Sequence, residues 1–199
     1  ESIESNYDGI IAAAAMFPLI RKANAEKYDA VIIACFSDPG IEAAKEISDI
    51  LVVGIQEASL HAAAMLGAKF CILTPLNKRI PAKENEVRRY RMEASLASVR
   101  PLGMTVAEHD ADPVKTKERI MTVARQAAEE DGAEVIILGC AGMVGYAEEV
   151  ERKLGIKVLD PSSVALKMCE AMVDAGLRHS KRAFYATPPA KKFKPGPLL

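Results

Sequence analysis

Two stretches of the 199-residue chain share one pattern: VIIACFSDPG at Val31–Gly40 and IILGCAGMVG at Ile136–Gly145. Each begins with an apolar run, reaches a cysteine at its fifth position, and has a glycine five residues after that cysteine. Cys140 follows Cys35 by 105 residues. The match indicates an internal duplication in which each cysteine stands where a strand gives way to a helix.

Outward from these stretches, short runs rich in valine and isoleucine alternate with helical patterns. Most of the runs are continuously apolar, which is typical of strands covered on both faces. The predicted strands are Ala30–Ala34, Leu51–Ile55, Lys69–Leu73, Met104–Ala107, Glu134–Leu138 and Lys157–Leu159. The predicted helices are Tyr7–Lys27, Pro39–Ile47, Gln56–Leu66, Glu84–Ala97, Pro113–Glu130, Tyr146–Leu154 and Val164–Ala175. Asp38 and Asp112 each precede a proline and are predicted to cap the helices that follow them. The alternation predicts an α/β protein with parallel sheets.

The duplication predicts two pseudo-symmetric lobes that face each other, each a short, mostly parallel sheet flanked by helices. We expect residues 1–66 and 164–180 to form the first lobe, residues 67–163 the second, and residues 181–199 a basic, proline-rich tail. The second repeat has an earlier strand, Lys69–Leu73, whose counterpart would lie before residue 1. The first lobe is therefore expected to lack its N-terminal strand in this sequence.

Composition excludes several classes of function. The net charge of −1 provides no field to attract nucleic acid or an anionic membrane, and no apolar run approaches the ~20 residues of a membrane span. The four cysteines and three histidines have neither a disulfide-framework nor a zinc-ligand spacing, so we expect no metal. Reduced thiols in a cytoplasmic protein are the expectation. No organic cofactor is expected either, because the chain has no glycine-rich phosphate-binding fingerprint.

The two cysteines suggest acid–base chemistry. Ligands of parallel α/β sheets collect at the carboxyl ends of strands, where both thiols are predicted to lie, and the start of a helix favours a thiolate there. A thiolate can remove a proton and a thiol can donate one, so two of them on opposite sides of one carbon can invert its configuration. A lone cysteine at a strand end is more often a core residue. Two at equivalent points of a duplication favour chemistry.

ACFSDPG at Ala34–Gly40 and LGCAGM at Leu138–Met143 resemble the two cysteine motifs of hydantoin racemases, including allantoin racemases, in the aspartate/glutamate racemase superfamily. The opening ESIESNYD and the segment SKRAFYATPP are similar to the same family, so the resemblance covers the whole chain. It implies cofactor-independent proton exchange at C5 of a 5-monosubstituted hydantoin, with Cys35 and Cys140 as the two bases. It also implies an active site in the cleft between the two lobes, with a substrate pocket formed by Ile3, Phe36, Ser37, Thr74, Ala141 and Gly142.

Several alternatives stay open. The chain could be an allantoin racemase, an aspartate or glutamate racemase or a related isomerase, or a non-catalytic two-lobed protein that binds a small molecule. Aspartate and glutamate racemases usually carry Cys-Asn-Thr and Gly-Cys-Thr at these sites, and this chain has neither. The small neutral residues after each cysteine favour a neutral ring over a free carboxylate, which needs several donors. The expected partners are a small-molecule substrate and further copies of the chain in a homo-oligomer.

Overall fold

In the computed structural model, which describes residues 2–190 apart from the side chain of Asp110, six short strands form two parallel sheets. The strands are β1 (Ala30–Ile33), β2 (Leu51–Gly54), β3 (Phe70–Thr74), β4 (Leu96–Pro101), β5 (Val135–Leu138) and β6 (Lys157–Leu159). The first sheet pairs β1 with β2, and the second has the order β4-β3-β5-β6. The predicted α/β class with parallel sheets flanked by helices is confirmed.

Helices cover the faces of both sheets. They are α1 (Asn6–Ala25), α2 (Ile41–Ile47), α3 (Ile55–Leu66), α4 (Ile80–Arg89), α5 (Val106–Ala111), α6 (Pro113–Asp131), α7 (Ala147–Leu154) and α8 (Pro161–Asp174). Short 3-10 turns occupy Asn77–Arg79, Glu93–Ser95 and Ala141–Met143. Residues 191–199 of the predicted tail lie outside the described residues. The predicted division of the chain into lobes and tail stays a prediction.

The core is layered because successive side chains of a strand point to opposite faces. Phe70 and Ile72 of β3 face a central core in which α3 and α8 pack against each other. Cys71 and Leu73 face the other way, into an outer core under α6 and α7. A third core, with Ile20 at its centre, lies between the first sheet and helices α1 and α2. Both sheets are thus buried on two faces, which explains the continuous apolar runs.

The two repeats have the same element order: strand, turn, helix, strand, helix. β1 and β5 begin 105 residues apart, the same separation as the two cysteines. The last helix of each repeat packs on the sheet of the other repeat: α3 contacts β5 of the second sheet, and α8 contacts β1 and β2 of the first. These contacts join the repeats through a shared core, so the carboxyl ends of β1 and β5 meet at one cleft.

Two predicted elements between the repeats are wrong. The helix predicted over Glu84–Ala97 ends at Arg89, and the strand predicted at Met104–Ala107 lies instead at Leu96–Pro101. That strand, β4, is at the edge of its sheet, where a proline is tolerated. Its charged and small residues hide it from a search for continuous apolar runs. Thr105 begins α5 through a reciprocal capping box with Glu108, a signal that the apolar pattern around it masked.

No helix among residues 2–190 is long and apolar enough to cross a membrane.

Candidate active site

A cavity of about 260 Å³ lies at the carboxyl ends of β1, β3 and β5, between the two repeats. Its lining includes all eight residues that the sequence singled out: Ile3, Cys35, Phe36, Ser37, Thr74, Cys140, Ala141 and Gly142. The other lining residues are Ser2, Glu4, Ala34, Pro75, Leu76, Arg79, Lys83, Val106 and Gly139. A larger cavity of about 600 Å³, bordered by α1 and α2, contains neither cysteine. The fold therefore brings the two thiols to the lining of one cavity.

The two cysteines begin the same kind of turn. The N–H of Asp38 donates to the carbonyl of Cys35 at 2.9 Å, and the N–H of Met143 donates to the carbonyl of Cys140 at 3.1 Å. Each bond spans three residues, so it does not use the N–H groups of the two residues between. Those pairs are Phe36–Ser37 and Ala141–Gly142, and both line the cavity. The duplicated turn thus presents a thiol followed by two backbone amides from each side of the cleft.

The helix predicted over Pro39–Ile47 begins at Ile41, and its capping residue is Gly40, so the predicted cap at Asp38 is wrong. The helix predicted over Tyr146–Leu154 begins one residue later, at Ala147. The repeated glycines explain why each helix begins after the cysteine turn, because Gly40 and Gly145 both have left-handed backbone angles, with φ of 70° and 88°. Each glycine ends the cysteine turn and redirects the chain into the helix.

Asp38 caps α3 instead of its own helix. Its carboxylate accepts the backbone N–H groups of Gln56 at 3.1 Å and Glu57 at 2.8 Å. Burial raises the pKa of Asp38 to about 7, against the two N–H bonds, which lower it. A side chain on Gly54 would overlap this carboxylate, so the glycine makes room for it.

The second repeat also connects its cysteine turn to a helix through a carboxylate, but here the carboxylate belongs to the helix cap. Asp160 caps α8 by accepting the N–H groups of Ser162 and Ser163, and it also accepts the N–H of Gly145 at 3.2 Å. In both repeats one carboxylate therefore ties the cysteine turn to the helix after the next strand. It comes from the turn in the first repeat and from the helix cap in the second.

Thr74 contributes a polar atom with an unfilled hydrogen-bonding capacity. It ends β3, the strand that pairs with β5, and its side chain is fully buried. Its hydroxyl has no hydrogen-bond partner in the described part of the chain. Buried polar groups are nearly always paired, so this hydroxyl is an exception in the lining of the cavity.

The segment before α1 closes one side of the cavity. Ser5 and Asp8 form a capping box, and the Asp8 carboxylate also accepts the N–H of Glu4 at 3.0 Å. The Glu4 carboxylate in turn accepts the N–H of Val106 at 3.3 Å. These bonds hold Ile3 in the lining, where it and Val106 provide apolar contact.

Sequence reasoning missed two basic lining residues, Arg79 and Lys83. Lys83 lies in the first turn of α4, and its ammonium donates to the carbonyl of Phe36 at 2.6 Å. Arg79 precedes α4 and donates to Asn6 at 2.9 Å. Both form ion pairs with Glu86. A charged, solvated-looking helix offered no local signal for these positions, because their burial arises from contacts with other elements.

The other two cysteines are parts of the core. Cys71 and Cys169 are buried, and the thiol of Cys71 accepts a hydrogen bond from Ser98 at 3.2 Å. Burial raises the pKa of Cys71 to about 11 and also raises that of Cys169. Only Cys35 and Cys140 among the four are partly accessible. The pair that the duplication selected is thus the pair that can react.

Comparisons with known proteins agree with this geometry. A family model described as Asp/Glu/Hydantoin racemase matches residues 1–169. A hydantoin racemase from Pseudomonas sp. (strain NS671) is 38% identical over 192 residues, which cover 96% of this chain and 77% of the relative.

Solved structures are similar over the same length. An allantoin racemase from Klebsiella pneumoniae superposes with a TM-score of 0.93 at 32% identity, covering 98% of this chain and 79% of that one. An allantoin racemase from Pseudomonas fluorescens has a TM-score of 0.89 at 36% identity, covering 98% and 83%. The chain therefore belongs to the Asp/Glu/hydantoin racemase family.

Proposed function

We propose that this protein racemises 5-monosubstituted hydantoins by exchanging the proton at C5 between Cys35 and Cys140. The observation that carries the proposal is the placement of the two accessible thiols in one cavity, each at the start of the same turn. The relatives named hydantoin racemase support the ring as the substrate class.

The proton balance needs no further reactant. The thiolate of one cysteine removes the proton from C5, and the electron pair of the C–H bond passes to the adjacent C4 carbonyl as an enolate. The thiol of the other cysteine then delivers its proton to the opposite face of C5. The enzyme is left with thiol and thiolate exchanged, ready for the opposite direction.

The backbone amides suit the charge that develops in this reaction. A hydantoin ring has two carbonyl oxygens, and the cavity has two cysteine turns with pairs of backbone N–H groups, at Phe36–Ser37 and Ala141–Gly142. Donors aimed at a developing enolate stabilise the transition state without reorganisation. The Thr74 hydroxyl, which has no partner in the described residues, is a further donor for a ring oxygen.

The decisive experiment follows deuterium uptake at C5 from each enantiomer of a hydantoin in heavy water. We expect Cys35→Ser and Cys140→Ser each to abolish racemisation. Cys169→Ser, a matched change at a buried core cysteine, should leave it close to the wild-type rate. Racemisation at the wild-type rate in both active-site variants would refute the mechanism.

Allantoin, a hydantoin with a ureido group at C5, is the second candidate substrate. The observation in its favour is the similarity to two solved allantoin racemases at TM-scores of 0.93 and 0.89. A panel of allantoin, 5-alkyl hydantoins, aspartate and glutamate separates the possibilities. Turnover of aspartate or glutamate alone would overturn the ring as the substrate class, whereas binding without any turnover would indicate a non-catalytic protein.

We also propose a homo-oligomer located in the cytoplasm. Large apolar side chains on α1 support self-association, because Tyr7, Ile10 and Leu19 are each about two-thirds exposed. Four free cysteines support a reducing compartment. Light scattering after size-exclusion chromatography measures the first, and fractionation of source cells measures the second. A monomer at micromolar concentration would contradict the oligomer.

A further inference from the structure

Arg79 is a mostly buried cation in the wall of the cavity that contains the two thiols. It ends the 3-10 turn that precedes α4, and its side chain is 12% exposed. Arg79 and Ser37 line both this cavity and the larger cavity bordered by α1 and α2. Arg79 therefore lies where the two cavities adjoin.

The hydrogen-bonding capacity of Arg79 is largely unused. A guanidinium has five N–H donors in a planar fork. Its Nη1 donates to the side-chain oxygen of Asn6 at 2.9 Å. Its Nη2 lies 3.6 Å from a carboxylate oxygen of Glu86, which is an ion-pair distance but too long for a hydrogen bond. In the described part of the chain, the guanidinium has no other acceptor.

The carboxylate beside Arg79 is already bound to two other side chains. One oxygen of Glu86 accepts the ammonium of Lys83 at 2.8 Å and the side-chain amide of Gln56 at 2.6 Å. Burial lowers the pKa of Lys83, whereas the charge of Glu86 and its hydrogen bond raise it. Glu86 thus supports the charge of Lys83, and the charge of Arg79 is only partly compensated.

The carboxylate in the lining does not compensate Arg79 either. Glu4 accepts the hydroxyl of Ser2 at 3.1 Å and the backbone N–H of Val106 at 3.3 Å. Within residues 2–190 it forms no ion pair with Arg79. The cavity therefore has, in its wall, a cation with unfilled donors.

The proposed function leaves this cation to the substituent of the substrate. With C5 between the two thiols, the ring oxygens face the backbone amides of the cysteine turns and the Thr74 hydroxyl, which are neutral donors. Arg79 belongs to neither cysteine turn and borders the second cavity. The part of the substrate that remains for it is the group attached to C5.

We propose that Arg79 determines substrate specificity by binding a carboxylate on the C5 substituent of the hydantoin. A planar guanidinium matches a carboxylate through two parallel N–H···O bonds. The proposal rests on the proposed function for the position of the ring. The carboxylate is remote from the bond that breaks, so it is bound alike in the ground state and the transition state. Its loss should therefore raise KM more than it lowers kcat.

The experiment compares two substrates of nearly the same shape, hydantoin-5-acetate and 5-isobutylhydantoin, in which methyl groups replace the carboxylate oxygens. We expect the unmodified protein to favour the acetate in kcat/KM by about tenfold or more, the effect of a charged hydrogen bond. Arg79→Met should abolish this preference, mainly through KM. Arg79→Lys, which keeps the charge without the fork, should retain part of it.

A second arginine provides the matched control. Arg89 lines the larger cavity but not the cavity of the thiols, and it pairs with Glu42 at 3.0 Å. Arg89→Met should leave the preference for the acetate unchanged. Circular dichroism and thermal unfolding establish that each variant is folded.

Allantoin tests whether the recognised group must be charged, because the oxygen of its ureido group is a neutral acceptor. Arg79→Met should lower kcat/KM for allantoin less than for hydantoin-5-acetate. An equal decrease for the two would show that Arg79 recognises any acceptor oxygen, which overturns the assignment of a carboxylate.

Two further outcomes overturn the proposal: no preference for the acetate in the unmodified protein, or an unchanged preference in Arg79→Met. The first needs no variant, so a variant that fails to fold does not prevent the test. Calorimetric titration with hydantoin-5-acetate measures binding without turnover, and Arg79→Met should weaken it about tenfold. Binding that depends on Arg79 without racemisation would refute the proposed function alone, whereas racemisation without the preference would refute this proposal alone.

Discussion

Thr74→Val is expected to stabilise the protein without substrate while it impairs turnover. The Thr74 side chain is fully buried at the end of β3, and its hydroxyl has no partner in the described residues. Valine has nearly the same shape and the same branching at Cβ, so it suits the strand. The substitution therefore removes one polar atom and changes little else.

The size of both effects follows from that unpaired hydroxyl. A buried polar group without a hydrogen bond costs about 1–3 kcal/mol, so the free energy of unfolding should rise by up to that amount. For a chain of this size each kcal/mol raises Tm by about 2–4 °C. A hydrogen bond to a charged group contributes about 1.5–3 kcal/mol, so its loss at the enolate should lower kcat/KM roughly tenfold to a hundredfold.

Urea unfolding of the substrate-free protein and racemisation kinetics measure the two effects. Thr116→Val is the matched control, because Thr116 is also fully buried but its hydroxyl donates to the carbonyl of His109 at 3.1 Å. That variant should be destabilised by about 1–3 kcal/mol. Equal loss of stability in both variants would refute the reasoning, since it would mean that the Thr74 hydroxyl is already paired in the folded protein. Unchanged kcat/KM would remove Thr74 from the substrate site.

Three further predictions concern the supports of the site. Gly139→Ala places a Cβ against the carbonyl of Leu73, so we expect the free energy of unfolding to fall by about 1–3 kcal/mol. We expect a larger loss of activity, because the change displaces Cys140. Urea unfolding and racemisation measure the two effects, and a fully active variant would contradict the prediction. Burial raises the pKa of Asp38 to about 7, so this group adds stability as the pH falls from about 8 towards 4 and loses that contribution as the pH rises. Asp38→Asn should flatten that part of the pH dependence of unfolding, and parallel curves for the two proteins would disprove it. The Nε2 atom of His179 accepts the N–H of Val52 at 2.8 Å, and burial and the charge of Lys45 lower the pKa of this histidine. The contribution of His179 to stability is therefore lost as the pH falls below about 6.5. In His179→Ala the decrease in Tm between pH 7 and pH 5 should be smaller than in the unmodified protein, and an equal decrease would show that the histidine is not its source.

The parts of the fold that could be predicted are those with a local signal. The strands β2 and β5 are buried along their whole length and stand out as short apolar runs. The helix after Asp112 begins as its aspartate-proline start predicts, because the cap is made within four residues, with Lys115 as the donor. The edge strand β4 and the role of Asp38 as a cap were predicted wrongly because tertiary packing overrides local preference in both places. The edge strand pairs on one side alone, and the Asp38 carboxylate finds donors 18 residues away.

The same distinction applies to the residues of the site. Both cysteines and the residues after them were predictable because the duplicated turn repeats its sequence pattern. Lys83 was not predictable, because its contact with Phe36 spans 47 residues and its charge looks like any other on a solvated helix.

The α/β class and the pair of equivalent thiols follow from the amino-acid sequence, because they depend on spacing within single strands and turns. The residues around the thiols were expected from the family resemblance. Three features required the folded structure: the packing of α3 and α8 on the opposite repeat, the Thr74 hydroxyl without a partner in the described residues, and the burial of Lys83 beside Phe36. Burial and charge act through space, so the surroundings of a side chain depend on elements that are far from it in the sequence.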